Sequence, residues 1–182
     1  PSIAKNISQA FEHCLNGRGI PDATALVERA KGLAKAGEID PLADLSKDRV
    51  YLFSGGKDQI VARSVVEAAK RFYIDAGVPK ENVALMTRDD AGHSILTTDT
   101  GNACGFSASP FVSDCDYDQS GAILKWIYGE LNAPAERPKG RFLIFDQSPY
   151  AEAGNGLSSE AVVYNPAACT GQNGCRLHIA LH

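Results

Sequence analysis

No apolar run in this 182-residue chain approaches the roughly 20 residues that a helix needs to cross a bilayer, so a membrane-spanning helix is not expected. Basic charge is short as well. Eighteen Lys and Arg stand against 22 Asp and Glu, a net charge of -4. Binding a phosphate backbone calls for a surplus of cations on one face, so nucleic acid is not expected as a partner. Internal repeats and low-complexity tracts are missing, and the 44% apolar and 22% charged residues are those of a globular chain, which sets aside disorder, coiled coil and collagen. No secretory leader is recognisable, so the expectation is a soluble chain or one already processed to a mature form. The length suits a single domain, residues 1–182, with a substantial core.

Cysteine, by contrast, is present five times, and four of the five fall in two close pairs, Cys104 with Cys115 and Cys169 with Cys175. Each pair lies in sequence rich in Gly, Asn, Ser and Thr, where a bridge restrains the unfolded chain without distorting a regular element. Two short-loop disulfides and a secreted, extracellular or periplasmic protein are expected. Four reduced, buried cysteines in a cytosolic protein are the alternative. Cys14 is left over, as a free thiol or with a partner outside this sequence.

Residues 1–40 read as a helical segment. One helix spans 2–15, with Ile3, Ile7, Ala10, Phe11 and Cys14 on one stripe, and a second spans 21–36, with Ala23, Leu26, Val27, Ala30, Leu33 and Ala34 in helical period and Gly37 as the stop. A different pattern follows over 41–133. Arg49 to Ser54 is a short apolar run that breaks into Gly55-Gly56, as a buried strand does at a tight loop. Val61 to Ala76 is amphipathic with a helical period, and Val83 to Thr87 is a further strand. Strand, helix and strand in about forty residues make a right-handed crossover of a parallel sheet. Arg88 to Cys115 reads as a long irregular segment, which in a compact domain is a misassignment or a functional loop, and a functional loop is expected. Asp116 then serves as an N-cap with Gln119 three positions on, opening a helix that buries Ile123, Trp126, Ile127 and Leu131. After a Pro-rich connector, Asn132 to Gly140, strands are expected at Arg141–Phe145, Glu160–Asn165 and Arg176–Leu181.

The first strand delivers Asp58 just past its C-terminal end, and the second delivers His93 past the end of its neighbour, which is where open α/β sheets place ligands. Adjacent parallel strands lie about 4.8 Å apart, so the two side chains can meet. A carboxylate accepting the Nδ1 proton of a histidine fixes its tautomer and leaves Nε2 free to take a proton from a nucleophile. Acid before base, each following a strand, is also the chain order of α/β-hydrolases. The plainer alternative is a loop aspartate capping the helix at Val61 and a surface histidine. A nucleophile is harder to find. No G-x-S-x-G elbow occurs; Gly105-Phe106-Ser107-Ala108-Ser109 is the nearest match, without a strand before it or a helix directly after, and Ser54-Gly55-Gly56 is better explained as a close turn. His178 and His182 with Cys169 and Cys175 form a weak zinc alternative, since the spacing between these cysteines is longer than is usual. His13 is read as structural.

Four stretches, GGKDQIV, DAGHSI, NACGFSASPFVSDCDYDQSGAILKWIYGEL and AVVYNPAACTGQNGCRLHIALH, resemble the secreted poly(3-hydroxybutyrate) depolymerases and related polyester esterases. The similarity is greatest to members whose α/β-hydrolase fold is circularly permuted. It covers residues 41 to 182, and is most specific around Cys115 to Asp118 and at the terminal LHIALH. The resemblance implies Asp58 as triad acid, His93 as triad base, and bridges from Cys104 to Cys115 and from Cys169 to Cys175. The order of elements agrees with permutation, because the strands from Arg141 onward, which open an unpermuted fold, here follow the helix that closes it.

Two departures stand beside the resemblance. The elbow that permuted members carry upstream of the acid is absent, and the chain stops where the pattern runs on into a Gly of the oxyanion loop. The expected fold class is therefore an α/β-hydrolase-like, mostly parallel sheet with flanking helices, circularly permuted and incomplete. Residues 41–133 are its acid and base half, and 141–182 the strands that begin the unpermuted fold. The implied function is a serine esterase cleaving poly(3-hydroxybutyrate) or related hydroxyalkanoate oligomers, with its serine outside these residues and no metal or cofactor. By itself the chain would show little activity. The alternative is a non-catalytic binding or structural module on the same scaffold. Oligomeric state is left open.

Overall fold

The computed structural model describes residues 7, 8, 10–150, 157–169 and 174–181. These residues form two compact units, Pro1–Leu131 and Asn132–His182, and the boundary falls at the start of the Pro-rich connector.

In the first unit, the sequence-predicted crossover is present. Strand β1 (Val50–Gly55) and strand β2 (Val83–Arg88) pair in parallel from Val50↔Val83 to Gly55↔Arg88. Helix α1 (Ala23–Ala36) starts at Asp22, whose side chain accepts from the Ala25 amide, and ends at Gly37 in the left-handed region, φ 75°. That conformation costs a residue with a Cβ and is free to glycine. Ala23, Val27 and Ala30 form its buried stripe, while Leu26 is exposed. Helix α2 (Arg63–Asp75) packs on α1 and on both strands. It begins two residues later than its apolar period suggests, because the Asp58 carboxylate takes the amides of Ile60 and Val61 and holds the chain in a turn there.

The expected helix over 2–15 differs. Residues 1–6 and 9 lie outside the described residues, and Ala10–Leu15 form a π-helical turn. Its wider bonding, such as Asn16 N–H to the Phe11 carbonyl, rotates the stripe expected of a 3.6-residue period, and Ile7 and Phe11 are exposed.

The segment from Arg88 to Cys115 is more regular than its sequence implies. It holds three very short strands, β3 (Ile95–Thr97), β4 (Asn102–Ala103) and β5 (Val112–Asp114), with β5 in the middle and both pairings parallel. Helix α3 (Gln119–Tyr128) packs on β1 and β3. Its N-cap is Asp118 and not Asp116: the Asp118 Oδ1 accepts from Gly121 N at 2.8 Å, while Asp116 sits at a positive φ. Ile123, Trp126 and Ile127 are half-buried, and Leu131 is exposed rather than buried. The tightest packing gathers Ala91, Leu96 and Cys115, with Phe53, Cys104 and Tyr117 against them. Two of its members, Ala91 and Leu96, flank His93 in the chain, so this small core anchors both sides of the loop that carries it.

In the second unit, β6 (Gly140–Asp146) and β7 (Glu160–Pro166) form an antiparallel hairpin in register from Gly140↔Pro166 to Asp146↔Glu160. Arg176–Leu181, expected as a strand, is irregular. Alternating apolar residues favour an extended backbone, but a strand also needs a ladder, and among the described residues this unit has β6 and β7 alone.

Candidate active site

Past the paired tips of β1 and β2 the two connecting loops lie against one another. A Cβ on Gly55 would strike the Ala91 carbonyl, and one on Gly56 would strike the backbone of Asp89. Glycine at both positions therefore permits the approach. Backbone hydrogen bonds hold it, from Gly56 N to the Arg88 carbonyl (2.7 Å) and from Lys57 N to the Ala91 carbonyl (2.9 Å).

This apposition brings Asp58 and His93 together. Asp58 Oδ2 is 2.9 Å from His93 Nδ1. The other oxygen, Oδ1, accepts from Ile60 N at 2.8 Å and from Val61 N at 2.9 Å. The Asp58 side chain is 9% exposed and that of His93 40%, so the acid is enclosed and the imidazole reaches solvent. An ionised carboxylate only accepts, so this contact favours the neutral tautomer with its proton on Nδ1, which leaves the lone pair on Nε2. One carboxylate thus closes the turn at Ile60 and Val61 and meets the imidazole; it is not the cap of α2, whose N-cap is Ala62 with no side-chain bond.

The backbone around His93 is held from the other side. Cys104 is bonded to Cys115. Within the loop so closed, the Cys104 carbonyl accepts from Gly92 N (2.9 Å), Ser107 Oγ accepts from His93 N (2.8 Å), and the Phe111 carbonyl accepts from Ile95 N (2.9 Å). The Phe111 ring stands at 83° to the imidazole with centroids 6.2 Å apart. Ser107, the nearest sequence match to an elbow serine, is thus engaged as an acceptor for the His93 amide. Ser54 is 1% exposed, as a residue under a tight turn and not as a displayed hydroxyl.

The buried role of Gln119 and the pairing of Tyr51 with Tyr117 escaped sequence reasoning. Gln119 is 2% exposed, and its Oε1 accepts from Leu96 N at 2.9 Å, tying α3 to the strand that follows His93. Read as a capping-box glutamine, it turns out to be the first residue of the helix, pointing into the core. Tyr51 and Tyr117 hydroxyls lie 3.4 Å apart; burial first, and the bond to Tyr117 second, push the Tyr51 phenol well above its ordinary range. On the rim, Arg88 Nε donates to Asp90 Oδ1 at 2.8 Å, which holds the Asp90 carboxyl below its usual range.

The remaining candidates lie elsewhere. Cys169 is bonded to Cys175, which removes both as thiolate donors to zinc, and among the described residues no three metal-ligating side chains cluster. His182 lies outside the described residues. His13 Nδ1 is 3.1 Å from the Gly19 carbonyl, a local loop contact, and Cys14 is a free, exposed thiol.

A parallel crossover that presents an acid and a hydrogen-bonded imidazole beyond neighbouring strand tips is an arrangement of the α/β-hydrolase type. The comparisons give this class a narrower content. The chain is 39% identical over 182 residues to a poly(3-hydroxybutyrate) depolymerase of Delftia acidovorans, covering 97% of this chain and 36% of that protein. It is 33% identical over 180 residues to a polyhydroxybutyrate depolymerase of Talaromyces funiculosus, covering 96% of this chain and 52% of that one. Among solved structures, a serine-to-alanine variant of a PHB depolymerase in complex with an R3HB trimer superposes with a TM-score of 0.82 at 32% identity, over 91% of this chain and 52% of that chain. The PHB depolymerase of Penicillium funiculosum follows at 0.79 and 31% identity, over 87% of this chain and 50% of that chain. No protein-family model matches. The chain is therefore homologous, over nearly all its length, to part of the PHB depolymerases, and it spans about half or less of the curated relatives it matches.

Proposed function

We propose that residues 1–182 carry the acid and base of a serine esterase that hydrolyses poly(3-hydroxybutyrate) or related hydroxyalkanoate oligomers. Asp58 is the acid, His93 the base. The observation that carries this reading is the 2.9 Å contact between Asp58 Oδ2 and His93 Nδ1, with the second carboxylate oxygen fixed by two amides. In this role His93 Nε2 takes the proton of a serine hydroxyl as that oxygen attacks the ester carbonyl, and returns it to the leaving alcohol. It then takes a proton from the water that opens the acyl-enzyme.

The serine belongs to a part of the protein outside these residues. The sequence has no elbow, and Ser107 is held by the His93 amide. Relatives of about twice the length or more leave room for one. Acid and base early in the chain and the β6–β7 hairpin after them support a circularly permuted α/β-hydrolase. Two disulfides support secretion, since such bonds persist in oxidising compartments.

A fluorophosphonate probe tests the assignment. Residues 1–182 alone are expected to remain unlabelled, and a longer protein containing them to be labelled at one serine, with labelling lost in its His93→Ala variant. Labelling of Ser107 or Ser54 would overturn the external nucleophile. A longer protein that hydrolyses the polyester equally well without His93 would overturn the base assignment.

A further inference from the structure

We infer that Phe111 is a positioning residue that holds the His93 imidazole against Asp58, carried to the site by the loop closed between Cys104 and Cys115. This rests on the acid and base roles proposed above and adds the device that keeps the ring in place.

One hydrogen bond at Nδ1 leaves an imidazole free to swing about the bond to its own Cβ. At 40% exposure, water on the open side does not stop that swing. Phe111 is the aromatic neighbour of this ring, at 83° to the imidazole with centroids 6.2 Å apart, the edge-to-face geometry that aromatic pairs prefer. Nδ1 is taken up by Asp58, so the contact constrains the ring without consuming that nitrogen.

The backbone beneath Phe111 argues in the same direction. Its φ is 57°, in the left-handed region that bulky side chains rarely enter. A glycine would meet that demand at no steric cost, so what the position supplies is the ring itself. Strain of this kind persists only where the surroundings over-determine it. Here Phe111 N donates to the Ala108 carbonyl (2.8 Å), the Phe111 carbonyl accepts from Ile95 N (2.9 Å), and β5 begins at the next residue. The same loop holds the amides of Gly92 and His93 through Cys104 and Ser107. Gly92 makes the approach possible, since a Cβ there would lie 2.7 Å from the Phe106 carbonyl and 2.8 Å from Ser107 Oγ. Backbone and ring of His93 are therefore both gripped by one disulfide-closed loop.

Nitrogen-15 NMR of the His93 ring in the 182-residue chain, with its signals assigned by His93→Gln, tests this without requiring catalysis. In the unsubstituted chain, above the imidazole titration, the Nδ1–H tautomer is expected to dominate, with nuclear Overhauser contacts between the His93 and Phe111 rings. Phe111→Leu keeps apolar bulk and removes the flat ring; it is expected to lower the ratio of Nδ1–H to Nε2–H by about two- to tenfold. Phe111→Tyr is expected to restore it. A merely structural role would lower the melting temperature of Phe111→Leu and leave that ratio unchanged, which would overturn the inference. Should Phe111→Leu fail to fold, absence of the ring-to-ring contacts in the unsubstituted chain would overturn it equally. A different failure, Nδ1 unprotonated in the unsubstituted chain, would strike the acid and base assignment itself.

Discussion

Asp58 spends its two oxygens on different tasks: Oδ2 meets His93 Nδ1 at 2.9 Å, and Oδ1 takes the amides of Ile60 and Val61. Exchange for asparagine separates them. The amide oxygen of Asp58→Asn still accepts from Ile60 and Val61, so stability changes little. Its NH2 group then faces Nδ1 and donates to it, which forces the imidazole proton to Nε2, the wrong end for a general base. In a complete esterase containing these residues, Asp58→Asn is expected to lower kcat by about 10⁴, as expected of a wrong tautomer. Asp58→Ala is expected to lose the turn as well, because the amides of Ile60 and Val61 forfeit their acceptor, at a cost of about 1–3 kcal/mol of stability. Chemical denaturation beside the rate assay distinguishes the two variants, and equal destabilisation by both would contradict the split role.

Gln119 belongs to the support of the same loop. Its buried Oε1 is the acceptor for Leu96 N, two residues beyond Ser94 and three beyond His93. Gln119→Leu fills similar space but leaves a buried amide unsatisfied, at a cost of about 1–3 kcal/mol. Equilibrium unfolding should register that loss, and hydrogen exchange at Leu96 should accelerate with it.

The sequence pattern made β1, α2 and β2 legible because the strands are compact apolar runs and the helix between them is long enough for its period to show, with Gly55-Gly56 ending the first strand and Gly77 the helix. From these three elements the meeting of Asp58 with His93 followed as an expectation of strand geometry. The strands within Arg88 to Cys115 were not legible, since two or three residues display no period and their pairing depends on contacts distant in sequence. Gln119 was misread for a related reason. Its spacing from Asp116 imitates a capping box, while the chain turns at Asp116, in positive φ, and places the cap at Asp118. At Arg176–Leu181 local pattern and structure part, because extended propensity alone supplies no neighbouring strand. The external grip on His93 was visible only in part: the cysteine pair marks the loop, but nothing in the spacing announces that Ser107 and Phe111 reach back to it.

Tyr51 predicts an alkaline limb. Burial and the Tyr117 hydroxyl raise its folded pKa above that of the unfolded phenol, near 10. The contribution is therefore complete below pH ~10 and is lost as pH rises from there toward the folded value, because the unfolded chain ionises first. Tyr51→Phe should flatten this loss of stability above pH ~10. Spectrophotometric titration should show one tyrosine ionising later than the rest, and its disappearance in Tyr51→Phe assigns it. A limb of unchanged steepness in the variant would locate the alkaline sensitivity elsewhere.

The bridge from Cys104 to Cys115 restrains a loop whose residues 104, 107 and 111 hold the amides of 92, 93 and 95. Two consequences of removing it are separable. Closure of a short loop restricts the unfolded chain, so replacing both cysteines by serine is expected to cost about 2–4 kcal/mol in equilibrium unfolding. That global loss would arise wherever the loop lay. A local loss would not: if this loop holds the histidine backbone, the amides of Gly92, His93 and Ile95 should lose more exchange protection than those of α1. Protection falling evenly across both regions would leave the bridge a general staple, with no particular part in presenting His93.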